Sequence, residues 1–334
     1  MSPANFHGIL LLNKPSGVSS FAALHPVKRA FGGKKGAKIG HAGTLDPAAS
    51  GLLVVGVGAG TRLLEYLEAM PKRYGFRLNL GVVTDSYDLE GAVLERHDAS
   101  RVTRADVEEK LTRFLGVISQ TPPAYSAIKV DGKRAYERAR DGEEVVMTAR
   151  PVRIDRLEIL SFEPGNILLE MDCSKGTYVR SLAHDLGRAL GCGAAADKIR
   201  RLAIGPFSLE DAVGVDPHVD AATALQTFLR ALLPLETAVA DLPALRVADD
   251  ALPALRNGNP LPRAAYEVTK GPATVTLDHA ETGVTTAAEY AAFDARGALL
   301  AIAVLDADGR LCPVKLLPAG RGENLATAVT PVAA

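Results

Sequence analysis

Gly40-His-Ala-Gly-Thr-Leu-Asp-Pro-Ala-Ala-Ser-Gly51 joins two apolar segments and holds one carboxylate, Asp46, beside a proline and among small residues. Pro47 stiffens the backbone after that carboxylate, and Gly43 and Gly51 let other backbone or a ligand approach closely. An Asp-Pro pair is also an ordinary turn element, so the string alone leaves a reactive acid and a plain turn both open. A second stretch, Cys173-Ser-Lys-Gly-Thr-Tyr-Val-Arg180, reads as a strand end turning into a helix. It offers an aromatic ring, Tyr178, and a guanidinium, Arg180, near a helix start. The bland alternative is a half-buried tyrosine beside a surface arginine.

Working outward, Gly51–Val57 and residues 8–13 are short apolar runs that read as buried strands. Lys14-Pro-Ser-Gly17 turns the chain, and Ser19 or Ser20 is placed to cap a helix reaching about Phe31. A basic loop, Phe31–Lys38, follows. Gly56-Val-Gly-Ala-Gly60 lacks the G-x-G-x-x-G spacing of a dinucleotide site, so tight strand-to-helix packing accounts for it better. Thr61–Met70 has helical spacing, with Leu63, Leu64 and Leu67 on one face. Further on, Tyr74–Leu80, Val152–Phe162 and Ile167–Cys173 read as strands. Thr103-Arg-Ala-Asp106 reads as the capping box of a helix to about Leu115. Tyr178–Leu190 reads as a helix closed by Gly191. Strands and helices without a regular βαβ period predict an α+β fold on a mixed β-sheet.

Residues 120–150 form a basic insertion into this first domain, which spans 1–238. The composition then shifts. Short strands at Tyr290–Phe293 and Ala298–Val304 predict a small β-rich domain over 239–320, and residues 321–334 form a loose tail.

The chain has 334 residues and 47% hydrophobic content, enough for two cores. No segment approaches the length of a membrane span, and Met1–Pro15 lacks the pattern of a signal peptide, so a cytoplasmic protein is expected. Cys173, Cys192 and Cys312 are too few and too scattered for a disulfide framework or zinc site. There is no phosphate-binding Walker loop, no H-E-x-x-H and no G-x-S-x-G. No cofactor or metal is implied. The net charge is −1, but residues 1–80 carry an excess of seven positive charges and residues 206–334 an excess of seven negative ones. That asymmetry suits a phosphate polymer as partner, and equally a solvated charged face.

Five blocks, taken together and in order, are more specific. They are Gly8–Ser20, Gly40–Gly51 with the two leucines after it, Pro122–Tyr136, Ser174–Ala183 and Ile199–Phe207. This set resembles the tRNA pseudouridine synthase B family, the bacterial tRNA pseudouridine-55 synthases. Leu252–Pro262 resembles, less specifically, the start of that family's PUA-type RNA-binding domain. The resemblance implies isomerisation of a uridine in the T-stem and loop of tRNA by a cofactor-free enzyme, acting as a monomer without an obligate protein partner. It implies that Asp46, Tyr74 and Arg180 are catalytic, and that Lys14, His41, Tyr74, Tyr178 and Ile199 bind substrate. In that picture Tyr74 stacks on a flipped uracil and helps remove its C5 proton, and His41 fills the vacated space. Ile199 stands where the family commonly has Leu, and Ala42 where it often has Thr. An RNA-binding folding helper without essential catalysis is the alternative reading.

Overall fold

Backbone hydrogen bonds join strands from distant parts of the sequence into one large mixed sheet. The computed structural model describes residues 6–126, 129–130, 133–134, 138, 146–216, 218–271 and 288–318. Ten strands make the sheet: β1 (Gly8–Lys14), β2 (Ile39–Ala42), β3 (Ser50–Val57), β4 (Lys72–Leu80), β5 (Gly116–Gln120), β6 (Arg150–Glu163), β7 (Asn166–Cys173), β8 (Ala194–Ile204), β9 (Phe207–Ser208) and β10 (Val213–Gly214). Their order is β10-β1-β3-β8-β4-β7-β6-β5, with β2 added to β3 and β9 to β8. Pairs β1/β10 and β3/β8 are parallel and the others antiparallel, the mixed sheet that the pattern predicted.

Strands β1 and β3 are buried almost throughout, which is why they read as unbroken apolar runs rather than alternations. Strands β6 and β7 alternate, one face in the core and one in solvent. A core of Phe76, Leu78, Ile154, Leu169 and Met171 packs under Leu182 and Leu186 of the helix that carries Arg180.

The helix expected from Ser19 to Phe31 is two short helices, α1 (Ser20–Ala23) and α2 (His25–Ala30), with Ser19 capping the first. Pro26 is the reason: it lacks an N–H and crowds the preceding turn, so the helix restarts with Pro at its beginning. Thr61–Met70 likewise divides into a tight 3₁₀ turn over Gly58–Leu63 and α3 (Leu64–Ala69). Helix α4 (Arg104–Leu111) has the reciprocal Thr103–Asp106 capping box, and α5 (Val179–Ala189) ends before Gly191 at φ +77°. A Cβ on Gly60 would lie 2.2 Å from the Gly8 carbonyl oxygen, so the glycine run serves close packing against β1.

A separate five-stranded sheet lies in the C-terminal part: β11 (Ala244–Val247), β12 (Tyr266–Lys270), β13 (Glu289–Phe293), β14 (Leu299–Leu305) and β15 (Leu311–Leu316), ordered β12-β11-β13-β14-β15. One apolar cluster is shared between the two parts: Ala291, Leu299, Ile302 and Leu317 pack with Leu63, Leu67, Leu235 and Val239. Lys315 seals the seam, pairing with Glu65 and donating to the Tyr66 hydroxyl at 2.8 Å. Residues 127–128, 131–132, 135–137 and 139–145 of the basic insertion, and the tail from 319 onward, lie outside the described residues. No helix among those described is long and apolar enough to cross a membrane.

Candidate active site

The loop between β2 and β3 carries Asp46, and the N-terminal segment laces it down from below. Gly17 N–H donates to the Pro47 carbonyl at 2.8 Å, Ser16 Oγ to Ala48 O at 2.7 Å, and Ser20 Oγ exchanges two hydrogen bonds with the Leu45 backbone, both 2.8 Å. Lys14, expected at substrate, belongs to this lacing. Its side chain is fully buried and its ammonium donates to the carbonyls of Pro15 (2.9 Å), Val18 (2.7 Å) and Pro47 (3.2 Å). A buried ammonium needs such acceptors, because water no longer solvates it. Burial lowers it to about 8, with the Asp46 carboxylate opposing that shift and Arg201 adding to it.

Above the loop, Arg180 near the start of α5 meets Asp46, Nη2 to Oδ2 at 2.8 Å. The arginine side chain is 4% exposed and the aspartate 42%, so the guanidinium is the fixed member and the carboxylate faces the opening. Arg180 is held from the other side by the segment Thr84–Gly91. Its Nη1 donates to Ser86 O at 3.0 Å, its Nη2 to Tyr125 O at 2.8 Å, and its Nε lies 3.5 Å from the Asp88 carboxylate. Two carboxylates and two carbonyls around one buried cation compensate its desolvation.

Tyr87, between Ser86 and Asp88, has φ +65°, a conformation that costs a non-glycine residue about 1–2 kcal/mol. Three contacts hold it there. Its carbonyl accepts from Ala196 N–H at 2.9 Å, Leu89 N–H returns to Ala196 O at 3.1 Å, and its ring stacks on His184 of α5 with centroids 3.9 Å apart. The same helix thus carries Arg180 and, one turn later, the anchor of the loop that holds Arg180.

These elements enclose a cleft of about 770 Å³ lined by Asp46, Lys72, Tyr74, Tyr178, Arg180, Ile199 and Arg201, among others. Five of the seven residues expected at substrate or in catalysis, Asp46, Tyr74, Tyr178, Arg180 and Ile199, therefore share one opening. His41 is not among the lining residues. It sits on β2, opposite Val55 of β3, and its buried Nδ1 has no hydrogen-bond partner among the described residues. Burial lowers the His41 imidazole, with Arg201 and Lys28 acting in the same direction, so the neutral ring is favoured.

Arg201 was not singled out by the sequence, although a signal existed. Adjacent residues on a strand face opposite sides, so one of Arg200 and Arg201 had to point inward. Arg201 is 1% exposed; its Nε donates to Leu52 O at 2.8 Å and its Nη2 to Gly43 O at 3.0 Å. Gly51 allows this seat: at φ +102°, a Cβ there would meet the Arg201 carbonyl oxygen at 2.3 Å. Arg201 also stands beside Tyr74. Burial pushes the Tyr74 phenol up, with the guanidinium opposing, so the ring enters the cleft as a neutral phenol. That suits a stacking surface better than a proton acceptor. Lys72 was missed as well. Its ammonium is buried, donates to the Glu68 and Met70 carbonyls, and is lowered by burial to about 8. Asp88 lay in an acidic turn whose spacing did not reveal which acid would face a cation.

Residues 28–179 match the model of the TruB family pseudouridylate synthase N-terminal domain, and residues 180–240 that of the tRNA pseudouridylate synthase B C-terminal domain. The chain is 43% identical over 254 residues to the tRNA pseudouridine synthase B of Ruegeria sp. (strain TM1040), covering 76% of this chain and 82% of that one. This chain belongs to the TruB family. Further TruB relatives are the tRNA pseudouridine synthases B of Zymomonas mobilis, 42% identical over 76% of this chain and 84% of that one, and of Heliobacterium modesticaldum, 41% identical over 77% and 83%. The fold is also that of a chain in a Cbf5-Nop10-Gar1 complex, with TM-score 0.66 at 23% identity over 93% of this chain and 84% of that one. A chain of an H/ACA ribonucleoprotein bound to a substrate RNA gives TM-score 0.65 at 22% identity over 93% and 85%. The TruB chain is a pseudouridylate synthase, an isomerase, and the cleft around Asp46 is its candidate active site. Among the described residues no cluster of three His, Cys, Asp or Glu side chains could hold a metal ion.

Proposed function

We propose that this pseudouridylate synthase converts uridine 55 in the T-loop of tRNA to pseudouridine, with Asp46 as the carboxylate that acts on the nucleotide. The observation that carries the reading is the Asp46–Arg180 contact of 2.8 Å at the mouth of the cleft, in a chain whose TruB relatives are tRNA pseudouridine synthases. The reaction breaks the bond between ribose C1′ and uracil N1, turns the base and joins C1′ to C5. Positive character builds at C1′ as the bond breaks, and a carboxylate can attack or stabilise such a centre. Arg180 holds that carboxylate at the mouth of the cleft, where it can meet the nucleotide.

A uridine in a folded loop reaches Asp46 only if it leaves the stack. Tyr74 then offers a ring to the flipped base, Tyr178 and Ile199 complete the walls, and His41, on the strand leading into the loop, faces the RNA that the base has left. Arg150, whose guanidinium carbon lies 5.4 Å from the Tyr178 ring centroid, adds a cation at the rim. The C-terminal sheet, read as a PUA-like domain, extends the RNA-binding surface. Most affinity comes from phosphate contacts, so chemistry and binding should separate on mutation.

The test is Asp46→Asn on unmodified tRNA transcript, with chemical mapping of pseudouridine. The variant should bind tRNA and form no product. Product at a rate near that of the unaltered chain would overturn the assignment. Product at a uridine other than 55 would overturn the T-loop site alone.

A further inference from the structure

We propose that Phe21, His25 and Lys28, on the outer face of α1 and α2, form a platform that receives an unstacked base of the RNA beside the target nucleotide. This rests on the reading of the substrate as RNA and adds a contact to it.

Phe21 is 61% exposed, whereas Phe31, Phe76, Phe207 and Phe228 are all buried. A lone exposed apolar side chain needs no explanation. Phe21 is not alone, however. The Lys28 ammonium sits 4.0 Å from its ring centroid, and the exposed His25 ring meets it edge-on with centroids 5.4 Å apart. An aromatic face bordered by a cation and an imidazole is the chemistry by which single-stranded RNA is held: the base stacks, and the cation takes a phosphate. In the free protein the ammonium rests over the ring. Moving it to a phosphate would open that face of the ring to a base. The exposed lysines 34, 35 and 38 continue the positive surface along the same segment.

The position fits a flanking nucleotide. Ser20, next to Phe21, exchanges two hydrogen bonds of 2.8 Å with Leu45, and Leu45 adjoins Asp46. The platform is therefore fastened through Ser20 to the loop that carries Asp46. A strand that turns one base into the cleft must carry its neighbours across the adjoining surface, and these neighbours have lost a stacking partner. Phe21 can replace it.

The experiment compares Phe21→Ala and Phe21→Trp in the full chain, measuring binding of unmodified tRNA, KM and kcat. Phe21→Ala should raise the dissociation constant and KM about ten-fold, the size of one lost base–aromatic stack, with kcat changed far less. Phe21→Trp should restore binding. Lys28→Gln should weaken the salt dependence of binding by about 0.7 in the logarithmic slope, one phosphate contact to a single strand. Phe21→Ala binding and reacting like the unaltered chain would overturn the platform. So would a Trp variant as weak as the Ala variant with a lowered Tm, since the ring would then be structural. Failure of the unaltered chain to form pseudouridine in tRNA would instead overturn the proposed function, so the two failures are distinguishable.

Discussion

Lys14→Met removes the ammonium under the loop that carries Asp46 while keeping a long unbranched side chain in its place. In the native protein that ammonium is fully buried and donates to three carbonyls, at 2.7, 2.9 and 3.2 Å. Hydrogen bonds from a charged group contribute about 1.5–3 kcal/mol each, so two good bonds and a long one amount to about 3–8 kcal/mol gross. Two effects offset this. Pro47 O keeps its second donor, Gly17 N–H at 2.8 Å. The ammonium is also costly to bury: its lowering from 10.5 to about 8 corresponds to about 3 kcal/mol. A net loss of about 2 kcal/mol follows, which should lower Tm by about 3 °C for a protein of this size. The pH dependence has a definite sign. The folded value lies below the unfolded one, so between about 8 and 10.5 the unfolded chain binds the extra proton and native stability rises with pH. The variant lacks that rise, and the stability gap should widen over the same window. Thermal melts at pH 7 and 9.5, with tRNA binding at two salt concentrations, check both claims. An unchanged Tm together with weaker, less salt-dependent binding would show Lys14 holding an RNA phosphate, and the buried-clasp account would be wrong.

Tyr74→Leu should lose turnover far more than tRNA affinity, because phosphates supply most of the binding. An equal loss in both would make Tyr74 a general RNA contact. Tyr87→Gly relieves the φ +65° strain but removes the stack on His184; kcat should fall about ten-fold with KM little changed, while Tyr87→Phe keeps activity. Full kcat in the glycine variant would show that the stack does not position Arg180. A chain ended near residue 240 exposes the surfaces of Leu63, Leu67, Leu235 and Val239 that the C-terminal sheet covers. Each fully re-exposed leucine costs about 1.5–3 kcal/mol, so a lowered Tm is expected with product still formed below it. An unchanged Tm would mean that the shared cluster contributes nothing.

What the sequence determined by itself was local. Unbroken apolar runs marked β1 and β3, alternation marked β6 and β7, and the Thr103–Asp106 box marked the start of α4, because each depends on neighbours within a few residues. The small β-rich C-terminal part was visible for the same reason. The blocks around Asp46, Tyr178 and Ile199 also picked out lining residues of the cleft before any geometry was known. Only tertiary structure decided how these groups are held. The resemblance placed Lys14 at substrate; three carbonyls, one of them 33 residues away, hold its ammonium as a buried clasp. Arg201 and Asp88 gained their places through partners more than 90 residues distant: Leu52 and Gly43 for the first, Arg180 for the second. The strain at Tyr87 exists only because β8 and α5 hold it from both sides. Periodicity reports which face of an element is buried. It cannot report which charge a buried charge will meet, because that partner is chosen by strand order in the sheet, and β3, β8 and β4 lie side by side although far apart in the chain.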